Sequence, residues 1–337
     1  MKTLIASLLC IAFAGCGAMQ SSSPAAGSAG APAAGVIASV PIGRGPTLLA
    51  ISPDGSTVYA ASVGKMFAIR TDSNTVAATA SIDQYTTGLA VTPDGTRVLS
   101  IATTSSTLDL LAAPALTGGR SIGLPQGLYP GGYGQIAVSA DGRWAWVVNE
   151  AQWMAAANLG AGTARQVQLD MRPRDVALSA DGHTVYLAGC KYYCTTGSLE
   201  LIDVASGNLR KTINVGPAPF RLALSPDGRR AYTTNLGGPS LSIVDLTSNA
   251  PAATLPVGTE PTGLAVSADG TRVYVAAKQS RTVTVARGDG SAVLGTMSVE
   301  GMPRDVVVSP DGRRIYVSTS APNAVVVLDT TRVGAGG

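Results

Sequence analysis

One short phrase recurs along this chain. A Ser or Thr, then Pro or Ala, then Asp-Gly is repeated seven times, with the Asp at Asp54, Asp94, Asp141, Asp181, Asp227, Asp269 and Asp311. The steps between successive Asp residues are 40, 47, 40, 46, 42 and 42 residues. A period near forty residues that carries turn signals is typical of propellers and related repeat folds. The repeat therefore restricts the chain to an array of small, similar units.

Each unit contains four strand-like runs. An apolar run such as "GLAVS" leads into the Asp-Gly turn, and an alternating run such as "RVYVAA" follows it. A third run such as "LSIVDL" and an outer run such as "PAATLPVG" complete the unit. The β-branched residues and the turn chemistry favour antiparallel hairpins. The sequence predicts an all-β fold, a single seven-bladed β-propeller of four-stranded antiparallel blades.

The last unit lacks its outer strand. Its third run, "AVVVLDTT", is followed by "RVGAGG", whereas "VIASVPIGRGP" near the other end of the sequence resembles the missing strand. An open ring would leave unpaired strand edges. We therefore expect Val36 to Pro41 to pair beside Ala324 to Asp329 and to close the ring.

The first residues resemble an export signal. Lys2 precedes an apolar run, Leu4 to Ala14, that is too short to span a membrane. The "FAGC" that ends at Cys16 is similar to the bacterial lipoprotein signal, and an ordinary cleaved signal is the alternative. We predict a signal peptide over 1–15, a lipid-anchored flexible linker over 16–35 and the propeller over 36–337. An Asp directly after this Cys would resemble an inner-membrane retention signal. Gly17 stands there instead, so we expect an outer-membrane anchor facing the periplasm.

Particular phrases of the repeat point to a family. "YTTN" at Tyr232 to Asn235 and the stretch "VGTEPTGLAVSADGTRVYV" from Val257 to Val275 resemble the YVTN family of propeller repeats. The resemblance spans Val36 to Thr331 and is weakest in the second and third units. It implies a propeller whose relatives include binding and surface proteins, and a propeller fold does not by itself define a function.

The composition limits the chemistry. The chain has one histidine, His183, and no phosphate-binding loop, serine-nucleophile elbow or metal-ligand motif. No basic run suggests a nucleic-acid surface. We therefore predict no metal, no cofactor, no nucleic-acid partner and a monomer that meets the membrane only through its lipid anchor. A lactonase-like hydrolase, using Arg and carboxylate groups at the channel mouth, is the alternative to a binding or scaffold role.

The face opposite the Asp-Gly turns carries the more varied loops, and loops on a rigid scaffold commonly bind ligands. The residues predicted to bind a ligand or partner at this channel mouth are Arg44, Tyr129, Tyr133, Arg174, Asp175, Arg221, Arg304 and Asp305. Arg suits carboxylates and phosphates, and Tyr gives contact area at low entropic cost. The expected partner is an envelope protein, a peptide or an anionic small molecule of unknown identity. The alternative is that Arg174–Asp175 and Arg304–Asp305 are ion pairs that only solvate the rim.

Cys190 and Cys194 are expected to form a local disulfide, because exported compartments permit disulfides and no histidine lies nearby to complete a metal site. A loop this short adds little to the stability of the whole domain. Mass spectrometry of the exported protein under non-reducing conditions should therefore show these two residues cross-linked. Two free thiols would contradict the pairing.

Overall fold

Short antiparallel strands follow one another in the computed structural model, which describes residues 35–45, 47–125, 132, 134–191 and 194–333. The strands of the first half are β1 (Val36–Pro41), β2 (Leu48–Ile51), β3 (Thr57–Ser62), β4 (Lys65–Arg70), β5 (Thr75–Ser81), β6 (Thr86–Val91), β7 (Arg97–Ala102), β8 (Thr107–Ala112), β9 (Thr117–Gly123), β10 (Gln135–Val138), β11 (Trp144–Val148), β12 (Trp153–Asn158) and β13 (Thr163–Gln168).

The second half continues in the same way. Its strands are β14 (Arg172–Leu178), β15 (Thr184–Cys190), β16 (Gly197–Asp203), β17 (Leu209–Val215), β18 (Pro219–Leu224), β19 (Arg230–Asn235), β20 (Ser240–Asp245), β21 (Ala250–Pro256), β22 (Pro261–Val266), β23 (Arg272–Ala277), β24 (Thr282–Arg287), β25 (Val293–Ser298), β26 (Met302–Val308), β27 (Arg314–Ser320) and β28 (Ala324–Asp329). A 3₁₀ turn, Thr330–Arg332, follows. The described residues contain no helix long and apolar enough to cross a membrane.

The strands form seven four-stranded antiparallel sheets within the described residues. Blades 1 to 6 take four consecutive strands each, from β2–β5 to β22–β25, and blade 7 has the order β1-β28-β27-β26. The innermost strands β2, β6, β10, β14, β18, β22 and β26 neighbour one another in a closed circuit. The predicted seven-bladed β-propeller is confirmed.

The N-terminal strand closes this ring. β1 pairs antiparallel with β28, with Ser39 opposite Val326 and Val40 opposite Val325. Val40 is buried and packs with Tyr316 of blade 7 and Val58 of blade 1. The predicted closure is therefore confirmed, and it joins blade 7 to blade 1 through both backbone pairing and apolar packing.

Each Asp-Gly turn is held by one hydroxyl and one carboxylate. In blade 5 the Ser225 hydroxyl donates to Asp227 Oδ1 at 2.5 Å and accepts the Arg230 N–H at 2.9 Å. Asp227 Oδ1 also accepts the Arg229 N–H at 3.0 Å, and Gly228 takes the left-handed conformation with φ of +68°. The hydrogen bond from Ser225 is the largest cause that lowers the pKa of Asp227 below its ordinary value. The repeated Ser or Thr and Asp are therefore turn-forming residues.

The hydrophobic core lies between the faces of adjacent sheets. Tyr232 and Ile243 of blade 5, for example, pack with Val273 and Val275 of blade 6. The inner strands approach so closely that a Cβ on Gly263 would lie 2.9 Å from the Cα of Asp305 in the next blade. This crowding brings the side chains at the channel mouth together across the ring.

Closure by β1 makes a testable prediction about stability. Val40 is 5% exposed whereas Ile37, on the same strand, is 45% exposed. Val40→Ala should lower the free energy of unfolding by about 2 kcal/mol, because it leaves a cavity in the seam between blades 7 and 1. Ile37→Ala, the matched control, should change it by less than about 0.5 kcal/mol. Equal effects of the two variants in urea unfolding would contradict this account of the seam.

Candidate functional site: the channel mouth

One position of the repeat places side chains in the channel, four residues before the Ser or Thr of each turn. The seven residues at this position are Leu48, Gly88, Gln135, Asp175, Arg221, Gly263 and Asp305. Each lies on or beside an innermost strand, towards the end opposite the Asp-Gly turns. Four of them are polar or charged, so a polar layer forms at one level of the channel.

Arg221 is at the centre of this polar layer. With the carbonyl oxygen of its side-chain amide turned toward Arg221, Gln135 accepts hydrogen bonds from both terminal guanidinium nitrogens. Arg221 Nε donates to the carbonyl of Thr262 at 3.2 Å, and Nη2 lies 3.6 Å from Asp305 Oδ2. Its guanidinium is 5.4 Å from the centroid of the Phe220 ring. One buried cation thus joins blades 3, 5, 6 and 7.

The two carboxylates of the layer each link neighbouring blades. Asp175 Oδ2 accepts the Leu222 N–H at 2.7 Å, which connects blade 4 to blade 5. Asp305 Oδ2 accepts the Leu49 N–H at 3.0 Å, which connects blade 7 to blade 1. Both carboxylates are buried. Their first role in the fold is therefore to satisfy backbone donors between inner strands.

Burial sets the protonation of this layer. Desolvation raises the pKa of Asp175 to about 7, and the attraction of Arg221 and the hydrogen bond from Leu222 oppose that rise. Desolvation likewise raises the pKa of Asp305, against the opposing effects of Arg221 and Leu49. Two buried carboxylates share one arginine, so the layer favours holding a proton near neutral pH.

A cavity of about 420 Å³ lies above the polar layer. Its lining combines the start of inner strands with the loops of the same face: Gly45, Thr47, Leu48, Ser62, Val63, Gln84, Tyr85, Thr86, Thr87, Gly132, Gly134, Phe220, Arg221, Leu236, Glu260, Thr262, Lys278 and Arg304. Lys278 Nζ donates to Glu260 Oε2 at 2.8 Å. Arg304 Nε reaches the Ser320 hydroxyl only at 3.5 Å, and no carboxylate of the described residues pairs with Arg304.

The structure brings some of the predicted binding residues together. Arg221 and Arg304 line the cavity, whereas Asp175 and Asp305 lie in the polar layer. Arg44 is exposed, and its carbonyl accepts the Ser62 hydroxyl at 2.6 Å. Arg174 is described and paired with Glu150, whereas Tyr129, Tyr133 and the lipidation residue Cys16 lie outside the described residues.

The alternative of ion pairs within each Arg-Asp dipeptide is wrong for both dipeptides. Arg174 Nε instead binds Glu150 Oε1 at 2.6 Å, whereas the carboxylate of Asp175 accepts backbone N–H groups. Asp305 pairs with Arg221 of another blade rather than with Arg304. The physical reason is a β-bulge at each dipeptide, which leaves Arg174 and Arg304 out of the pairing with the neighbouring strand and re-aims their side chains. Adjacent charges in the sequence are therefore presented to different environments.

Sequence reasoning missed Gln135, Phe220, Glu260 and Thr262 as parts of the site. The signal for Gln135 was present, because it occupies the repeat position of Asp175 and Arg221. Phe220, Glu260 and Thr262 have no charge pattern that sets them apart from other loop and strand residues. Only the folded ring brings them beside Arg221 and Lys278.

Cys190 and Cys194 form a disulfide in the structure, with their Cα atoms 5.1 Å apart. Cys190 is the last residue of β15 and is buried. The disulfide joins the end of β15 to Cys194, shortly before β16, on the same face as the channel mouth.

Comparison with known proteins identifies relatives in fold. A family model described as choice-of-anchor I domain matches residues 134–335. Hydrazine synthase of Kuenenia stuttgartiensis superposes with a TM-score of 0.76 at 20% identity, covering 85% of this chain and 96% of that one. The β-propeller domain of Cps50 (Swd1) from Myceliophteria thermophila gives 0.74 at 10% identity, covering 88% and 99%. No curated protein matches the sequence. At these identities the structural similarity concerns the fold alone.

The raised pKa of Asp175 predicts a pH dependence of stability. Folded Asp175 keeps its proton up to about pH 7, whereas the carboxyl of the unfolded chain ionises at about pH 4. The contribution of Asp175 to the free energy of unfolding should therefore fall as the pH rises between these values. Asp175→Asn cannot ionise, so its urea-unfolding free energy should fall less over this range.

The matched control is Asp72→Asn, an exposed carboxyl whose pKa the Arg70 side chain lowers to about 2. Above about pH 5 Asp72 is ionised in both states, so this variant should keep the pH slope of the unchanged protein from there to about pH 7. If Asp175→Asn also keeps that slope, the carboxyl does not hold its proton in the folded state.

Proposed function

Since the chain belongs to the choice-of-anchor I domain family, we propose that it is an anchored surface propeller whose channel mouth binds an acidic segment of a protein or peptide partner. The observation that carries this proposal is the cavity above the polar layer, where Arg304 has no carboxylate partner among the described residues. The family and the fold support a surface or binding module in general. The choice of ligand comes from the chemistry of the cavity.

The base of the cavity favours the binding of a ligand over its passage through the channel. Arg221 and Gln135 meet across the channel beneath the cavity, and Asp305 contacts the same guanidinium. Inter-blade hydrogen bonds hold this layer, so it offers a rigid base for a ligand that enters from the mouth. A ligand seated there would contact the guanidinium edge of Arg221, which lines the cavity.

The charges of the cavity favour an anionic group. Lys278 is already paired with Glu260, and Arg221 is shared between Asp305 and Gln135. Arg304 keeps donors that described acidic groups do not use. A guanidinium offers a planar pair of donors that matches a carboxylate. Arg304 is therefore the group best suited to bind an acidic side chain or a terminal carboxylate.

The rim of the cavity favours a peptide over a small metabolite. Val63 is 59% exposed and Tyr85 is 58% exposed, the two highest values among the large apolar side chains described as exposed. Both line this one cavity. Exposed apolar and aromatic side chains beside a cation are typical of protein contacts, where aromatic residues contribute most of the binding energy.

The anchor is a further part of the proposal. The sequence before the propeller carries the lipoprotein-like "FAGC" ending at Cys16, followed by small and flexible residues. We propose that lipid on Cys16 holds the propeller at the outer membrane, facing the periplasm, with 16–35 as its tether. The resemblance of the repeats to the YVTN family agrees with such a surface role.

The lactonase alternative finds no support in this arrangement. Asp175 and Asp305, the carboxylates on which it relied, accept backbone N–H groups below the cavity. Glu260, the acidic residue that does line the cavity, is paired with Lys278. No described carboxylate is thus positioned to activate a water molecule over the cavity.

Site-specific crosslinking tests the proposed function. A photoreactive phenylalanine analogue in place of Tyr85 should give crosslinked partner adducts in intact cells. Arg304→Glu should reduce these adducts by at least about tenfold, because it replaces the free cation by a repelling charge. Adduct yield is measured by immunoblotting, and thermal unfolding checks that the variant is folded.

Arg313→Glu is the matched control, since Arg313 lies on the Asp-Gly turn of blade 7 and on the opposite face. It should leave the adducts unchanged. Adducts that survive Arg304→Glu, or that are lost equally in both variants, would show that the channel mouth does not bind the partner through this cation.

A further inference from the structure

A second cavity lies on the opposite face, between blades 3 and 4. It has a volume of about 450 Å³, and its lining differs in kind from that of the channel mouth: Ser139, Ala140, Asp141, Trp144, Trp146, Ala156, Arg165, Ala180, Asp181, Gly182 and Val204. The two indole rings are tilted by 40° with their centroids 6.4 Å apart. This volume falls within the range of about 300–1,000 Å³ that is typical of ligand sites.

In blades 5, 6 and 7 protein side chains bridge the equivalent groove. In blade 5, at the position of Trp146, the Tyr232 hydroxyl donates to the carbonyl of Gly288 in blade 6 at 2.6 Å. At the position of Trp144, Arg272 Nη1 donates to Thr330 O at 3.1 Å and Arg314 Nη1 to Thr71 O at 2.9 Å. These side chains cross the groove to the next blade.

Blade 3 replaces both bridging residues. Trp144 stands where other blades have Arg or Thr, and Trp146 stands where five of them have Tyr. The equivalent carbonyl, Val204 O, receives Arg165 Nη2 at 3.4 Å, a long contact from the outer strand. Neither indole N–H donates in any described hydrogen bond. Trp144 is partly exposed and Trp146 is buried in the core of blades 3 and 4, and both line the groove with unused donors.

The charged groups at this cavity are of both signs. Asp141 and Asp181 contribute two carboxylates, and Arg165 and the neighbouring Arg143 contribute two cations. Asp181 Oδ1 accepts the Ser179 hydroxyl and the His183 N–H, and Oδ2 accepts none of the described hydrogen bonds. The site thus offers the partly exposed indole of Trp144, unused donors and an unused acceptor beside charges of both signs.

We propose that this cavity binds an uncharged sugar unit of a glycan. A pyranose ring offers apolar C–H faces to the indoles and hydroxyls that both donate and accept hydrogen bonds. The indole N–H groups and Arg165 supply donors, and Asp181 Oδ2 supplies an acceptor. Because groups of both charges surround the cavity, they give no net field that would select an ionic ligand over an uncharged one. This site lies on the face opposite the channel mouth and does not depend on the function proposed for it.

Tryptophan emission gives a direct test. Two of the three tryptophans of the chain line the cavity, so a bound sugar should change the fluorescence. The protein is screened on an array of immobilised neutral oligosaccharides, including bacterial envelope glycans. The best ligand is then titrated in solution as its free oligosaccharide. Saturable binding with a change in emission is expected, and binding to no member of the array overturns the proposal.

Trp144→Arg is the diagnostic variant, because it installs the residue that blades 6 and 7 use to bridge this groove. It should keep or raise the melting temperature and weaken glycan binding by at least about tenfold. Arg165→Ala, an exposed position, should weaken binding by about tenfold without unfolding the protein. Arg229→Ala, on the turn of blade 5, is the control and should keep full affinity. Unchanged affinity in Trp144→Arg, or loss of affinity in Arg304→Ala at the channel mouth, overturns the assignment.

Discussion

Seven sheets can surround a channel without a free seam only when the last blade is completed, and here β1 completes it by pairing with β28. The same seam is joined at two further levels. Val40 packs with Val58 and Tyr316 in its core, and Asp305 accepts the Leu49 N–H at its inner edge. Because residues far apart in the chain meet here, this closure fixes blade 1 against blade 7. Asp305, which pairs with Arg221 in the channel, lies in the blade that this closure completes.

The polar layer of the channel follows from this closed circuit. Inner strands that converge must satisfy their backbone donors where side chains are crowded, and Asp175 and Asp305 do so between blades. Burying two carboxylates is costly unless a cation compensates them. Arg221 supplies that cation, and desolvation raises the pKa of Asp175 to about 7 and raises that of Asp305, which favours the uncharged carboxyl. The channel mouth therefore has a base whose geometry is set by folding, and its binding chemistry comes from the residues above that base.

Much of the fold could be predicted from the sequence, because local turn chemistry repeats with it. The hydrogen bonds of Ser225 and Asp227 span only a few residues, so each Asp-Gly motif is enough to predict a hairpin turn. The missing outer strand of blade 7 was equally visible. Contacts across the ring could not be predicted in this way. Arg221 and Asp305 are 84 positions apart, and no local sequence pattern links them. The adjacent Arg174 and Asp175 suggested an ion pair, but Arg174 lies at a β-bulge and binds Glu150, whereas Asp175 accepts backbone N–H groups.

The repeat also supplies an internal standard for separating structural from functional residues. Where the blades agree, as at the Ser or Thr and Asp of each turn, one structural role explains them all. Where one blade departs from the others, as at Trp144 and Trp146, the departure is informative because the other blades show what the fold alone requires. At the channel mouth the residues differ between nearly all blades, so a departure from the repeat does not distinguish functional residues there. There the pairing of charges distinguishes structural from binding residues. Arg174 pairs with Glu150, and Arg221 pairs with Asp305. Arg304 lines the cavity and pairs with no carboxylate of the described residues.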